Sequence, residues 1–156
     1  MSSTVDPHRN LLEAVIATDH LELGGVLIEL GRHPGTPRVM EELVADMDRR
    51  TRVHMAVVER VLLPALAVGE RDQIVDEVLA NHDRIRHDLD ELHAPRGVRA
   101  DAVRDLEVDL ADQVAFEDGV LVPAIEEELD DRAVDSLAFQ YSRLADTGIT
   151  SPAPPP

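Results

Sequence analysis

One motif occurs twice in this sequence, and this repeat constrains the fold more than any other feature. The stretch HMAVVERVLLPAL begins at His54, and the stretch QVAFEDGVLVPAI begins at Gln113. Both contain an alanine, an acidic residue and an apolar pair followed by proline. Their polar residues differ, because His54 aligns with Gln113 and Val58 aligns with Glu117. The fold must therefore account both for the repeated motif and for the different polar residues in its two copies.

The segments that precede the two copies are also similar. DHLELGGVLIEL from Asp19 aligns with NHDRIRHDLDEL from Asn81, which places His20 on His82. Apolar residues recur in both segments at steps of three and four, the pattern of an amphipathic helix. The sequence therefore indicates two copies of a helical hairpin, and short connections between helices favour antiparallel neighbours.

We predict an all-α fold, an up-and-down antiparallel four-helix bundle with a short fifth helix over about residues 131–145. Helix one is expected to end near Gly31 and helix two near Gly69, where glycines follow the last periodic residues. Helix four is expected to begin near Asp101. Pro64 and Pro123 should kink or stop the helices that contain them, because proline removes a backbone hydrogen bond.

The composition is that of one helical domain, which we place at residues 5–146, followed by a disordered proline-rich tail at 147–156. A chain of 156 residues with 44% hydrophobic content can bury one core. Aromatic residues make up only 2%, which favours helices that pack through aliphatic side chains. The terminal SPAPPP lacks the residues that form helices or strands.

The charge is strongly negative, at −17, and all 15 basic residues are arginine. Such a field repels phosphate backbones and anionic lipids, so we expect no nucleic-acid and no membrane partner. Small cations are attracted. With no cysteine in the chain, any metal must be bound by histidines and carboxylates. No apolar run has transmembrane length and no signal-peptide pattern is present, so we expect a cytoplasmic protein.

Each long helix has polar residues in its apolar stripe. They are His20, His54, His82, Gln113 and Glu117. Buried polar groups need partners, and side chains near the middle of antiparallel helices converge at one level of a bundle. Imidazoles and a carboxylate at one level suit a metal ion. The alternative interpretation is a metal-free layer whose members hydrogen-bond one another around trapped water.

Two adjacent glycines, Gly24 and Gly25, follow His20 and weaken helix one. They indicate either a close approach of a neighbouring helix or a channel for a small ligand. Close packing is the simpler explanation.

These motifs, in this order, resemble those of the hemerythrin, or HHE cation-binding, family. The resemblance covers about residues 12–129. The residues that carry it are Asp19, His20, His54, Pro64, Asn81, His82, Gln113, Glu117 and Pro123. It implies a four-helix bundle with a non-haem di-iron centre and bridging carboxylates, in proteins that carry, store or sense dioxygen or handle iron.

The resemblance also implies a ligand set. His20, His54 and His82 match the family's histidines on helices one to three, and Glu117 matches the carboxylate of helix four. Where the family has a carboxylate on helix two, this chain has Val58. A complete di-iron set is therefore missing. We expect a single iron, zinc or manganese ion on His20, His54 and Glu117, with His82 as a fourth ligand, or no ion.

Three further residues are weaker candidates for this site. Gln113 stands where the family has its helix-four histidine. Asp118 has an offset at which some members use aspartate. Glu59 is five residues from His54 and points about 140° around the helix, so we predict a surface or boundary position. Some members have a second histidine at the position of Arg86.

Three functions are consistent with these residues. The first is a metal-binding protein with a reduced site that binds or senses dioxygen, nitric oxide or iron. The second is a metal-free bundle that acts as an interaction or structural protein through the fifth helix or the tail, with an unknown protein partner. Enzymatic activity has the least support, because no acid, base or nucleophile accompanies the site.

Overall fold

The computed structural model describes residues 11–32, 37–66, 72–95 and 97–147, and within these ranges it contains no strand. Two π-helical turns, Val58–Leu62 and Glu117–Leu121, join α2 to α3 and α5 to α6. The helices are α1 (Leu11–Arg32), α2 (Pro37–Val57), α3 (Leu63–Leu66), α4 (Asp72–Leu92), α5 (Ala100–Phe116), α6 (Val122–Glu128) and α7 (Asp131–Thr147). This gives four long helical segments and a fifth helix, as predicted.

The packing order is that of a four-helix bundle. Helix α1 contacts α2 and α5, and α4 contacts the same two helices from the other side. Short connections make successive helices antiparallel. Helix α7 packs outside this bundle, against α1, α2 and the first π turn. The all-α bundle with a fifth helix is therefore confirmed.

The boundaries of the described helices lie close to the predicted ones. Helix α1 ends at Arg32, α5 begins at Ala100 and α7 covers Asp131–Thr147. Asp130 caps α7, because its side chain accepts a hydrogen bond of 2.9 Å from the backbone N–H of Ala133. The predicted domain start at residue 5, the end of helix two near Gly69 and residues 148–156 of the predicted tail lie outside the described residues, whereas Thr147, the first residue of that tail, is the last residue of α7.

Two hydrophobic clusters fill the bundle, one on each side of the buried polar residues. The first surrounds Tyr141 and includes Leu12, Ile16, Val58, Leu62, Val78, Leu121 and Ile125. The second includes Leu23, Leu30, Met47, Ile85, Leu89, Leu106 and Leu110. Because these side chains are aliphatic and lie on one stripe of each helix, their burial stabilises the bundle. No helix in the described ranges is long and apolar enough to cross a bilayer.

The two prolines of the repeated motif follow the π turns directly and do not stop their helices. The backbone N–H of Leu63 donates to the carbonyl of Val58, and that of Val122 donates to the carbonyl of Glu117, each five residues earlier. This wider turn accommodates the proline ring, which would otherwise crowd a carbonyl of the preceding turn. Of the two outcomes predicted at these prolines, a kink or an end of the helix, the end is wrong, because helical structure continues through each proline. Each π turn begins at one of the two aligned positions, Val58 or Glu117.

The two glycines of α1 do not mediate close packing. A Cβ atom built on either Gly24 or Gly25 would meet no heavy atom within 4 Å. The interpretation that we favoured from the sequence is therefore wrong, because no neighbouring helix approaches the backbone at these positions. Gly24 instead lines an open groove between α1 and α5.

Candidate metal centre

Five polar side chains form one buried layer between the two hydrophobic clusters. Their exposed fractions are 8% for His20, 2% for His54, 0% for His82, 1% for Gln113 and 0% for Glu117. Every long helical segment of the bundle contributes at least one of them. Groups buried this deeply require partners, which are other members of the layer and the Asp19, Glu59 and Tyr141 side chains beside it.

Glu117 lies at the centre of this layer. The imidazole Nε2 atoms of His20 and His54 lie 2.8 Å and 3.2 Å from its Oε2 atom. The Nε2 atom of His82 lies 3.8 Å from its other oxygen, Oε1. All three histidines thus present the same ring nitrogen to one carboxylate.

The candidate ligand atoms of His20, His54 and Glu117 lie within 4.8 Å of one another. We refer to these three residues as the donor cluster. Donors that share one ion are about 3 to 4 Å apart when each is about 2 Å from it, so the present separations are close to those around a bound metal. His82 lies outside this group.

The opposite ring nitrogen, Nδ1, of each histidine faces a carboxylate. The nitrogen–oxygen distances are 2.9 Å for His54 and Asp19, 2.8 Å for His82 and Glu59, and 3.4 Å for His20 and Asp118. In metal sites, a carboxylate in this place fixes the orientation and tautomer of the histidine that binds the ion through its other nitrogen. His54 and His82 therefore have the arrangement that metal ligands have, whereas His20 Nδ1 forms no hydrogen bond with Asp118 or with any other described residue.

Tyr141 of α7 extends this arrangement around His54. Its hydroxyl group donates a hydrogen bond of 2.6 Å to Asp19 Oδ2, and His54 Nδ1 lies 2.9 Å from the tyrosine oxygen. The side chain is fully buried. Because the tyrosine proton goes to Asp19, His54 Nδ1 carries a proton of its own and donates it. The fifth helix thus helps to position a residue of the donor cluster.

Sequence reasoning missed the roles of Asp19 and Tyr141. Asp19 precedes His20 in the motif, but nothing in the sequence indicates that its carboxylate contacts His54. Tyr141 lies at helical spacing from the apolar residues of the fifth helix, which by itself predicts only a packing role. The available signal was that it is the only tyrosine in the chain, since a buried tyrosine hydroxyl usually needs a hydrogen-bond partner.

Charge is concentrated in the donor cluster when no metal is bound. Burial alone lowers the pKa of His54, but the Glu117 and Asp19 carboxylates outweigh burial and raise that pKa to about 10. Burial raises the pKa of Glu117, yet the charge of His54 and hydrogen bonds from the histidines bring it well below its ordinary value. The metal-free layer therefore contains an imidazolium–carboxylate pair, whose proton must leave before His54 can bind a metal.

The opposite side of the layer is formed by Glu59, His82, Arg86 and Gln113, which we call the arginine side. The Arg86 guanidinium donates to Glu59, whose carboxylate also accepts from His82. The Gln113 amide donates to Glu117 Oε1, and its nitrogen lies 3.2 Å from His82 Nε2. Because His82 donates through Nδ1, its Nε2 accepts this second bond. These groups therefore hydrogen-bond one another, with the Gln113 amide oxygen as the exception.

The three weaker candidates for the site, Glu59, Gln113 and Asp118, lie in different surroundings. Glu59 is half-buried, as predicted for a boundary residue, but it faces His82 and Arg86 of α4. Asp118 is exposed and lies beside His20. Gln113 is buried, and its amide oxygen has no hydrogen-bond partner among the described residues.

The residues fit one metal ion and do not fit two. Two imidazoles and a carboxylate converge in the donor cluster. On the arginine side the Arg86 guanidinium already supplies Glu59 with a positive partner, and the Gln113 amide donates to Glu117 of the donor cluster. The buried Val58 offers no ligand atom. A second ion would meet a fixed positive charge and too few free donors.

A comparison with protein families gives one match. The profile of the hemerythrin HHE cation binding domain matches residues 10–125. This range contains all four long helical segments up to α6 but not α7, so Tyr141 lies beyond it. No curated protein and no solved structure matches the chain significantly.

Proposed function

The chain belongs to the hemerythrin HHE cation-binding family. On that premise we propose that it binds one non-haem iron ion, in a site with fewer ligands than a di-iron centre, and that it senses or binds a small diatomic molecule. His20, His54 and Glu117 would hold the ion. The observation that carries the proposal is the convergence of these three buried groups, with their donor atoms within 4.8 Å of one another.

The ligand types favour iron over the alternatives. Two histidines and one carboxylate, with positions left open, are the ligand set of many non-haem Fe²⁺ sites, although zinc and manganese accept the same donors. When bound, the ion supplies a Lewis-acidic and redox-active centre for dioxygen or nitric oxide. Three protein ligands leave a position at which such a molecule can bind.

The protein's own residues orient the site and exclude water. Asp19 and Tyr141 hold the His54 ring through Nδ1, so that Nε2 faces Glu117. The hydrophobic clusters above and below the layer keep bulk solvent out. We propose binding and sensing in preference to catalysis, because Asp19 and Tyr141 are already committed to hydrogen bonds with each other and with His54.

A second candidate function is supported by one observation. The layer is already neutralised internally, because His54 pairs with Glu117 and Arg86 pairs with Glu59. A bundle of this kind needs no metal to fold, and it could act as an interaction or structural protein. His82 as a fourth ligand would require Gln113 to move away from it.

Metal content tests the two candidates. Protein expressed with iron, zinc and manganese in the medium is analysed by mass spectrometry and by its visible spectrum. We expect about one iron per chain in the wild type, and less than about a tenth of that in the Glu117→Gln variant, because the variant lacks the anionic ligand.

Glu107→Gln is the matched control, since Glu107 is an exposed acid on the same helix segment. It should retain the wild-type content. Circular dichroism confirms folding, and His20→Gln serves as a second ligand variant if Glu117→Gln unfolds. Folded wild-type protein without any metal would contradict the iron site and support the metal-free bundle.

A further inference from the structure

Helix α7 lies outside the family match and is held on the bundle by one narrow stripe of side chains. The buried members of this stripe are Val134, Ala138 and Tyr141, and the helix contacts α1, α2 and the first π turn. The other side chains of α7 are exposed or only partly buried. An element with few buried contacts opens at a lower free-energy cost than the core of a protein. Helix α7 is therefore suited to leave the bundle while the four long helical segments stay folded.

The connection that precedes α7 is a short hinge. Helix α6 ends at Glu128 and α7 begins at Asp131, so only Leu129 and Asp130 join them. The backbone of Leu129 is extended, with φ −107° and ψ 148°. Domains and helices move about hinges of this kind, in which a few residues at the end of an element absorb the change in φ and ψ. Rotation at these two residues would move α7 and leave α6 in place.

The C-terminal half of α7 is incompletely packed. A cavity of about 370 Å³ lies between this half and helices α1 and α2. Ser142, Ala145 and Asp146 line it from α7, and Asp19 and Tyr141 also form part of its wall. Fewer apolar contacts hold this half of the helix in place. The hydrogen bonds of Tyr141 therefore contribute a larger share of its docking.

These hydrogen bonds join α7 to the donor cluster. The Tyr141 hydroxyl group donates to Asp19 Oδ2 at 2.6 Å, and His54 Nδ1 lies 2.9 Å from each of these two oxygen atoms. Because Nδ1 faces two oxygen atoms that act as acceptors, it carries a proton whatever is bound at Nε2. Nε2, on the opposite side of the ring, lies 3.2 Å from Glu117 Oε2. One rigid imidazole ring thus connects the candidate metal site with the contact that holds α7.

Ion binding and the docking of α7 must consequently affect each other. Groups that hold the far nitrogen of a metal-binding histidine typically raise the affinity for the metal by about 10- to 100-fold. Coupling between two binding events is reciprocal, so the ion stabilises the docked position of those groups by the same factor. Tyr141 is one of these groups and belongs to α7. Its share of the coupling is therefore expressed as tighter docking of this helix.

We propose that α7 is a strap whose docking is controlled by the metal ion in the donor cluster, with Tyr141 as the residue that couples the two. The bound ion fixes the His54 ring and keeps α7 on the bundle. In metal-free protein, α7 opens more often about Leu129 and Asp130 and uncovers its apolar stripe. This inference rests on the proposed metal function, because it supplies that function with a change of structure that reports the ion.

Hydrogen–deuterium exchange followed by mass spectrometry measures how often α7 opens. The full chain is compared without metal and with saturating Fe²⁺ under nitrogen, and the bound iron in each sample is counted. We expect amide exchange in α7 to slow by about tenfold when the ion binds. In Tyr141→Phe this slowing should fall below about twofold, because the hydroxyl group that couples α7 to His54 is missing. Iron should still slow exchange in α1 and α2 of this variant.

Val134→Ala is the matched control. It removes apolar contact from the same stripe, two turns from Tyr141, and keeps the hydroxyl group. Exchange in α7 should be faster both with and without iron, and the tenfold ratio between the two states should remain. If Tyr141→Phe does not fold, Asp19→Asn replaces it, because this change removes the shared acceptor, and the ratio should again fall below about twofold.

The outcomes separate this inference from the proposed function. Equal slowing of α7 exchange in the wild type and in Tyr141→Phe would overturn the coupling and leave the metal site standing. The same holds if iron binds to the wild type and exchange in α7 does not change. Wild-type protein that binds no iron would contradict the proposed function and the strap together.

Discussion

The donor cluster and the arginine side occupy one buried layer and contain the same kinds of residues, histidines and acids, but they are neutralised differently. In the donor cluster, Glu117 faces His20 and His54, its ion pairs among the described residues are with histidines, and its positive partner is a proton on imidazole. On the arginine side, Glu59 has Arg86 as a permanent cation. A proton can be exchanged for a metal ion, whereas a guanidinium side chain stays attached to the protein.

The difference follows from how the two copies of the motif diverged. The α2 copy keeps His54 and has the apolar Val58, and the α5 copy keeps Glu117 and has Gln113. The surviving histidine and the surviving acid meet, with His20, on one side of the layer. Two copies that each lack one of the family's polar residues can therefore still bring three candidate ligands together, because those ligands come from both copies and from α1.

The largest expected effect comes from making the two sides alike. In the triple variant Val58→Glu, Arg86→His and Gln113→His, the arginine side loses its built-in cation and gains one carboxylate and two imidazoles. Without metal, the new buried acid should lower the free energy of unfolding by about 3 kcal/mol or more. With iron, we expect about two ions per chain instead of one, and recovery of that stability.

Metal content and denaturant unfolding, each with and without iron, measure both parts of this prediction. Arg86→His alone is the control, because it removes the cation without adding the acid, and should still bind about one ion. A folded triple variant that binds only one ion would show that the guanidinium is not what separates the two sides.

The fold was predictable because each long helix has a clear apolar stripe and the motif repeat marks equivalent segments. The buried layer could be anticipated too, since His20, His54, His82, Gln113 and Glu117 interrupt those stripes. Which acid faces which histidine could not. Asp19 is adjacent to His20 in sequence, yet its carboxylate contacts His54, because side-chain direction around a helix and the neighbouring helix decide the contact.

Two other features, the role of Tyr141 and the surroundings of the α1 glycines, could not be predicted from the sequence because they depend on tertiary structure. Periodicity places Tyr141 with apolar residues, and only the packing of α7 on α1 and α2 brings its hydroxyl group to Asp19. The glycines of α1 were interpreted as a packing site, but α5 does not approach Gly24 closely enough to fill the space beside it. In both cases, the distance between helices decides the outcome, and periodicity does not determine that distance.

A smaller effect is expected from the groups that orient each histidine. Tyr141→Phe removes the hydroxyl group that holds Asp19 and His54 and should weaken iron binding by about tenfold. The free energy of unfolding should fall by about 1 kcal/mol. Competition with a chelator measures the affinity. Phe139→Leu on the exposed face of α7 is the control and should change neither quantity.

Glu59→Gln gives the matching test on the arginine side. It removes the carboxylate that orients His82, in the same way that Asp19 and Tyr141 orient His54. If only the donor cluster binds iron, this change leaves the affinity unaltered. A tenfold loss in Glu59→Gln would instead place His82 among the ligands.

The smallest effect is the pH dependence contributed by Glu59 in metal-free protein. Burial raises the pKa of Glu59, but hydrogen bonds from His82 and Arg86 outweigh burial and lower it below the ordinary value of 4.5. The folded state therefore binds this proton less readily than the unfolded state. The stabilisation is present above pH 4.5 and is lost as the pH falls through the folded-state pKa.

Glu59→Gln should accordingly lower the free energy of unfolding at neutral pH by less than about 1 kcal/mol, since this half-exposed pair is screened by solvent. It should also flatten the decline in stability as the pH falls below about 4.5. Denaturant titrations at several pH values, with a chelator present, measure the slope. Glu42→Gln, in the exposed pair with Arg38, should leave it unchanged. If the free energy of unfolding depends on pH in Glu59→Gln as it does in the wild type, the ion pair of Glu59 with Arg86 does not stabilise the folded protein. The contrast between the two sides of the layer would then depend on Val58 and Gln113 alone.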